Sequence, residues 1–152
     1  MTDEDVVEAV LLASRALVAV AARSLGAAPE EVTLPQYRAL VVLSTQGTRS
    51  VSELATDLGT AASSVTRLCD RLVRKGLIVR AESSGNRRQT DLDVTAAGRD
   101  LVQQVTAARL QEISRLVKAI PAARRPLVAE ALSELGRAAG EVPEQVWSLG
   151  WT

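Results

Sequence analysis

Two glycines divide residues 48–93 into two short helical patterns and a hairpin pattern, and this arrangement constrains the fold more than any other feature of the chain. Ser50 and Glu53 have the S-x-x-E spacing of a capping box, in which each side chain accepts a hydrogen bond from the other residue's backbone N–H at a helix start. Gly59 predicts where this helix ends, because glycine adopts the left-handed conformation of a helix C-terminus without a Cβ clash. The apolar residues of the helix recur at helical spacing: Val51, Leu54, Ala55 and Leu58.

A second helix is predicted to begin at a Thr60 cap and to end near Lys75, before Gly76, with Val65, Leu68 and Leu72 facing inward. At about 100° per residue, the opposite side collects small hydroxyl and basic side chains. Small hydroxyls let a helix approach base edges closely, and arginines reach guanine or phosphate groups. We therefore predict a recognition helix whose DNA-contacting side chains are Ser63, Ser64, Thr66, Arg67, Arg71 and Arg74.

After Gly76, residues 77–81 and 89–93 predict two strands joined by a turn at 83–86. Arg87 and Arg88 fall at the tip of this hairpin or at the start of its second strand, where we expect minor-groove or phosphate contacts. Residues 61–90 hold seven basic and two acidic side chains, a local charge of +5 in a chain of zero net charge. This asymmetry is typical of a surface that binds a polyanion. Residues 48–93 are therefore predicted to form a winged helix-turn-helix.

One acidic residue, Asp70, falls on the outward face of the predicted recognition helix. A carboxylate repels phosphate, so we expect Asp70 to orient Arg67, Arg71 or Arg74; accepting a hydrogen bond from a cytosine amino group is the alternative.

The run LATDLGTAASSVTRLCDRLVRKGLIVR at 54–80, followed by NRRQTDLDVTAAGR at 86–99, resembles the MarR (multiple antibiotic resistance regulator) family of bacterial transcription factors. The resemblance extends from the first helix to about Gly140. Many members carry Asp-x-Arg in the wing, where this chain has Asn86-x-Arg88. The resemblance implies a homodimeric regulator, more commonly a repressor than an activator. It also implies that the first helix joins the last two at the subunit interface.

Length and composition predict one domain built mainly of helices. A chain of 152 residues is the size of a single domain. Hydrophobic residues make up 47% of it but aromatic residues only 2%, with no Phe, so the core must consist of Ala, Val and Leu, which favours closely packed helices. We predict a single MarR-like domain over 1–152, mainly α with an α+β winged helix. It comprises about six helices, a wing sheet of two or three strands within 48–93, and dimerisation helices in 1–25 and 95–152.

The predicted first helix, residues 3–25, carries apolar residues on more than one face, whereas a helix in a small domain buries one stripe. The surplus face predicts a homodimer, and the alternative is a helix buried centrally within one subunit. Two C-terminal helices are also expected to carry apolar stripes, one from a Thr95 cap to before Pro121 and one from about 124–126 to Gly140, and the stripe of the second is expected to face inward. The stripes are Val102, Thr106, Leu110, Ile113, Val117 and Ile120, then Leu127, Val128, Ala131, Leu132, Leu135 and Ala138. Trp147 and Trp151, in residues 142–152, are expected to pack on the dimer.

A further helix is predicted over residues 34–45, with Pro35 in its first turn. It contains the only tyrosine, Tyr37, which one interpretation makes a half-buried core residue whose hydroxyl reaches water. The resemblance favours a second interpretation, in which a small aromatic or anionic effector binds where the first, second and fifth helices meet. The residues expected near it are Tyr37 and Arg15 or Arg38.

Several classes of function are excluded by residue content. The chain has no His and one Cys, which leaves no usual zinc site and no Cys-His or Ser-His-Asp arrangement. We therefore expect no catalytic residues, metal or cofactor. Cys69 has no partner for an intramolecular disulfide and is expected to be a packed structural thiol at the edge of the core. The acidic N-terminus lacks the features of a signal peptide and no apolar run is long enough for a membrane helix, so a cytoplasmic location without membrane contact is predicted.

Two hypotheses about function follow. The first is a homodimeric regulator that binds a palindromic double-stranded DNA operator and is released from it by a small-molecule effector. The alternative is a winged-helix module that binds protein and not DNA. The basic face of the recognition helix and the wing arginines favour the first.

Overall fold

A computed structural model describes residues 1–83 and 86–141, and for residues 83 and 86–89 it describes the backbone alone. The described chain contains α1 (Asp3–Ser24), α2 (Leu34–Gln46), β1 (Arg49–Ser50), α3 (Val51–Leu58), α4 (Ala62–Arg74), β2 (Ile78–Ser83), β3 (Asn86–Val94), α5 (Ala96–Ala119) and α6 (Arg125–Ala138). Two short 3-10 turns, Leu25–Ala27 and Ala122–Arg124, precede α2 and α6. The predicted mainly α, winged-helix architecture is confirmed.

Capping boxes fix the starts of several helices. The predicted box at α3 is confirmed: Glu53 N donates to Ser50 Oγ at 3.1 Å, and Ser50 N donates to Glu53 Oε2 at 3.2 Å. A second box, formed by Thr33 and Gln36, starts α2. Each box satisfies two backbone N–H groups that a helix start leaves without intrahelical partners.

The sheet is antiparallel and has the order β1-β3-β2. Leu92 of β3 lies opposite Arg49 of β1 and Arg80 of β2, and its own side chain is fully buried. The strand β1 has only two residues, too few to show an alternating pattern in the sequence. The wing strands were predicted at 77–81 and 89–93; β2 begins one residue later and ends two residues later, and β3 is longer at both ends. The predicted turn at 83–86 is therefore too long, since its first and last residues belong to the strands.

The core joins the winged helix to the first half of α5. Leu40, Leu54, Leu72 and Leu101 are fully buried in one cluster. The stripe predicted for α5 includes Val102, which is buried, but omits Leu101 and Val105, which are buried beside it. Packing against the winged helix, and not the helix's own periodicity, decides which residues face inward over these turns.

The long helices expose much of their apolar surface in a single chain. No residue of α6 is buried, and Leu127 is 61% exposed. The expectation that the α6 stripe faces inward is therefore wrong within one subunit, because no element of the same chain covers it. Burial of α1 at the centre of one subunit is also contradicted, since only Val20 and Ser24 of that helix are buried. Large apolar residues are exposed on α1, α5 and α6, and they include Val6, Val7, Leu11, Leu12, Leu17, Val18, Leu110, Leu116, Val117, Leu127, Leu132 and Leu135.

Candidate nucleic-acid interface

The turn between α3 and α4 is set by Gly59, which has φ 64° and ψ 36°. The N–H of Thr60 donates to Ala55 O at 3.0 Å, which completes the C-terminal hydrogen bonding of α3. The cap of α4 is Ala61, without a side-chain hydrogen bond, so the predicted Thr60 cap is wrong. Thr60 forms part of the C-terminal hydrogen bonding of α3, and α4 begins two residues later.

The helix α4 is strongly two-sided. Val65, Cys69 and Leu72 are fully buried, and Leu68 is partly buried. Thr66 Oγ1 donates to Ala62 O at 3.0 Å, so its lone pairs and methyl group remain for an external partner. The six side chains predicted to contact DNA are all exposed on this helix: Ser63, Ser64, Thr66, Arg67, Arg71 and Arg74.

Asp70 forms an ion pair with Arg80 of β2, with Asp70 Oδ1 2.7 Å from Arg80 Nη2. Asp70 was expected to orient an arginine of its own helix, and this expectation is wrong, because its carboxylate pairs with an arginine of the wing strand. Arg74 Nε does approach Asp70, but it donates to the backbone carbonyl at 3.3 Å. The sequence gives no signal for the Asp70–Arg80 pair, because the pair depends on how the wing strand lies against α4.

The wing consists of β2 and β3, paired from Ile78 and Val94 to Ser83 and Asn86. Arg87 and Arg88 lie within β3, and their side chains fall outside the described part of the structure. Their predicted DNA contacts remain predictions. Trp147 and Trp151 likewise lie outside the described residues.

A groove of about 490 Å³ separates the N-terminal part of α2 from α4. Its walls are mainly apolar, and Arg38 stands at its edge, where its guanidinium pairs with Glu141. The lining residues are Leu34, Pro35, Arg38, Leu58, Thr60, Ser64, Val65 and Leu68.

The three residues predicted to bind an effector lie in different surroundings. Tyr37 is 5% exposed, more buried than predicted, and its hydroxyl is 3.5 Å from Thr106 Oγ1 of α5. Arg38 borders the groove beside α4, and Arg15 is exposed on α1. Among the pockets resolved in the described chain, Arg15 and Arg38 line separate ones, and Tyr37 lines neither of these two.

Arg23 of α1 forms an ion pair with Glu112 of α5. Glu112 Oε2 lies 2.6 Å from Arg23 Nη2 and 3.0 Å from Arg23 Nε. The hydrogen bonds from Arg23 hold the pKa of Glu112 below its ordinary value, and those to Glu112 raise the pKa of Arg23. The pair connects the two long helices.

Cys69 lies in the core and not at its edge, which corrects the predicted position. Burial raises the pKa of its thiol to about 11; Arg80 lowers the pKa and Asp70 raises it, both by less than burial does. The thiol is therefore protonated and inaccessible at neutral pH. The residues that the structure describes include no acidic, Cys or His cluster suited to a metal ion, and no helix long and apolar enough to cross a membrane.

Similarity to known proteins extends over most of the chain. Residues 32–90 match the sequence model of the MarR family. The chain is 32% identical over 108 residues to the HTH-type transcriptional repressor MdtR of Bacillus subtilis. This alignment covers 71% of this chain and 70% of MdtR. The crystal structure of RV1404 from Mycobacterium tuberculosis has a TM-score of 0.80 at 40% identity, covering 93% of this chain and 97% of that one. The structure of NadR in complex with 4-hydroxyphenylacetate has a TM-score of 0.64 at 25% identity, covering 84% and 89%.

Proposed function

Because this chain belongs to the MarR family of transcriptional regulators, which bind DNA and are not enzymes, we propose that it is a homodimeric repressor of an inverted-repeat operator, released by a small aromatic or anionic ligand. Similarity to the repressor MdtR supports repression. A role on the chromosome implies a cytoplasmic location.

The outward face of α4 is the observation that supports operator binding best. Its hydroxyl side chains lie towards the helix N-terminus, and Arg67, Arg71 and Arg74 follow, all exposed. This order lets the N-terminal residues approach base edges while the arginines reach guanine or phosphate. Arg87 and Arg88 of the wing are proposed to add phosphate or minor-groove contacts.

The apolar surfaces of α1, α5 and α6 support a dimer. One large apolar side chain on each of these helices shows this: Leu11 of α1 is 60% exposed, Leu110 of α5 is 64% exposed and Leu127 of α6 is 61% exposed. Exposed apolar surface on this scale is typical of a subunit interface. A two-fold dimer presents two identical recognition helices, which predicts half-sites about 34 Å apart along the duplex.

Sedimentation and duplex selection test these two parts separately. At micromolar concentration, the dimer should sediment near twice the 16.1 kDa of one chain; a monomer at that concentration would contradict it. Duplexes selected from a random pool should share an inverted repeat, and binding should weaken steeply with salt. Absence of salt-dependent duplex binding would favour the alternative, a winged-helix module that binds protein.

Ligand release is proposed to act at the junction of α1, α2 and α5, near Tyr37 and Arg15 or Arg38. NadR binds 4-hydroxyphenylacetate, an aromatic carboxylate, which supports a ligand of this class. A ligand that prefers the DNA-incompetent arrangement weakens operator binding, and a coupling of about 1 to 3 kcal/mol corresponds to roughly 5- to 150-fold.

The coupling must be reciprocal, so operator DNA must weaken ligand binding by the same factor. Calorimetry with 4-hydroxyphenylacetate and with salicylate, each with and without operator, tests this. Equal ligand affinity in the two titrations would exclude coupling even where the ligand binds.

A further inference from the structure

Thr95, between β3 and α5, forms hydrogen bonds in two directions. As the predicted cap of α5, its Oγ1 accepts from Gly98 N at 3.1 Å. The same hydroxyl donates to Gly76 O at 2.7 Å, and the Thr95 backbone N–H donates to Leu77 O at 3.0 Å. The last two bonds have no part in starting α5, since both lead to the turn that follows α4.

Gly76 and Leu77 are themselves part of the end of α4. Gly76, at φ 71°, donates to Val73 O at 2.9 Å, and Leu77 N donates to Leu72 O at 3.0 Å. Leu77 therefore donates its N–H to the recognition helix and accepts at its carbonyl from Thr95. Two hydrogen bonds in series connect α4 to the residue that begins α5.

Close contact also holds the first turn of α5 against this turn. A Cβ added at Gly98 would lie 2.3 Å from Leu77 O and 2.6 Å from Val94 Cγ2, so the helix approaches as only glycine permits. The end of α4 and the start of α5 therefore have little room to move independently.

We propose that Thr95 is a positioning residue for operator recognition: its hydroxyl fastens α4 to α5, so that the placement of α5 in the dimer sets the separation of the two recognition helices. This inference rests on the proposed function as a DNA-binding dimer. With 24 residues, α5 is about 36 Å long, so a tilt of about 5° displaces one end relative to the other by about 3 Å. That displacement is close to the rise of one base pair.

A helix cap alone would also explain a threonine here, and Thr95→Asp separates the two roles. Aspartate is a good N-cap and accepts from the Gly98 N–H. Its ionised carboxylate has no proton to donate to Gly76 O. Thr95→Ser is the matched control, because serine retains both the acceptor and the donor.

The experiment measures affinity for a single half-site and for operators whose half-site spacing varies by one base pair at a time. We expect Thr95→Asp to reduce the preference for the best spacing over its neighbours at least threefold, with half-site affinity within twofold of wild type. Thr95→Ser should keep the wild-type preference. Thr95→Gly, which also lacks the hydroxyl but costs little as a cap, gives the same readout where the aspartate variant does not fold.

An unchanged spacing preference in Thr95→Asp or Thr95→Gly would overturn the inference while leaving the proposed function intact. Equal loss in Thr95→Ser would overturn it as well, because the hydroxyl would then not be responsible. Wild-type protein that binds no duplex, or binds all spacings equally, would overturn the proposed function and the inference with it.

Discussion

Asp70 of α4 and Arg80 of β2 are joined by an ion pair, with Oδ1 2.7 Å from Nη2, that connects the proposed recognition helix to the wing strand. The pair also places a carboxylate beside the basic outward face of α4. Exposed pairs of this kind contribute little to stability. Its larger consequence is electrostatic, because the aspartate neutralises Arg80, a basic residue of β2 that lies beside α4.

Asp70→Asn should strengthen binding to duplexes of every sequence, since it removes a negative charge and leaves Arg80 free to contact phosphate. The slope of log K against log salt should steepen by about one unit. Fluorescence anisotropy with a non-operator duplex over a salt series measures it. Glu112→Gln, which removes a paired carboxylate outside the winged helix, should leave the slope unchanged; a wild-type slope in Asp70→Asn would refute the expectation.

Replacing an arginine of α4 should change DNA binding in a different way from replacing an arginine of the wing. Arg67→Ala or Arg71→Ala should cost on the order of 1 to 3 kcal/mol on the preferred operator and relax the choice of base where that arginine reads one. Arg88→Ala should weaken all duplexes similarly and flatten the salt slope. Competition between operator and random duplex distinguishes the two effects, with exposed Arg137→Ala of α6 as control. A changed sequence preference with an unchanged slope in Arg88→Ala would contradict the wing assignment.

Leu127→Asp should convert the dimer to a monomer. Leu127 is 61% exposed in the single chain, so the substitution should leave the subunit folded while placing a charge in the proposed interface. Sedimentation and circular dichroism together measure assembly and folding. Val79→Asp is the matched control, since Val79 is a 49% exposed apolar residue of β2. A Leu127→Asp variant that still sediments as a dimer would remove α6 from the interface.

Cys69 should make stability fall at alkaline pH. Its thiol has a pKa of about 11 when folded, raised from 9.0 mainly by burial. A raised pKa means that the stabilisation is complete below pH 9 and is lost as pH rises towards 11, on the order of 2 kcal/mol in all. Urea unfolding at pH 8 and pH 10.5 should show this loss in wild type and not in Cys69→Ala. Rapid labelling of native protein by a thiol reagent at pH 7.5 would contradict the burial.

Sequence by itself determined the local features of this protein. The Ser50–Glu53 box, the left-handed Gly59 and Gly76, the Thr95 cap and the α4 periodicity each depend on residues within one turn or two, so their spacing predicted the helix boundaries well. The exposure of the six polar and basic residues of α4 followed from the same periodicity. Their contacts with DNA remain predictions.

Tertiary structure alone decided what depends on the approach of distant segments. The pairing of Asp70 with Arg80, the burial of Leu101 and Val105, and the second hydrogen bond of Thr95 join residues on different elements. Periodicity also does not show which surface covers an apolar stripe. The stripe of α6 was for this reason predicted to face inward, whereas it is exposed in one chain. An apolar face must be buried somewhere, but whether its own chain or a second copy covers it depends on the packing of the whole subunit.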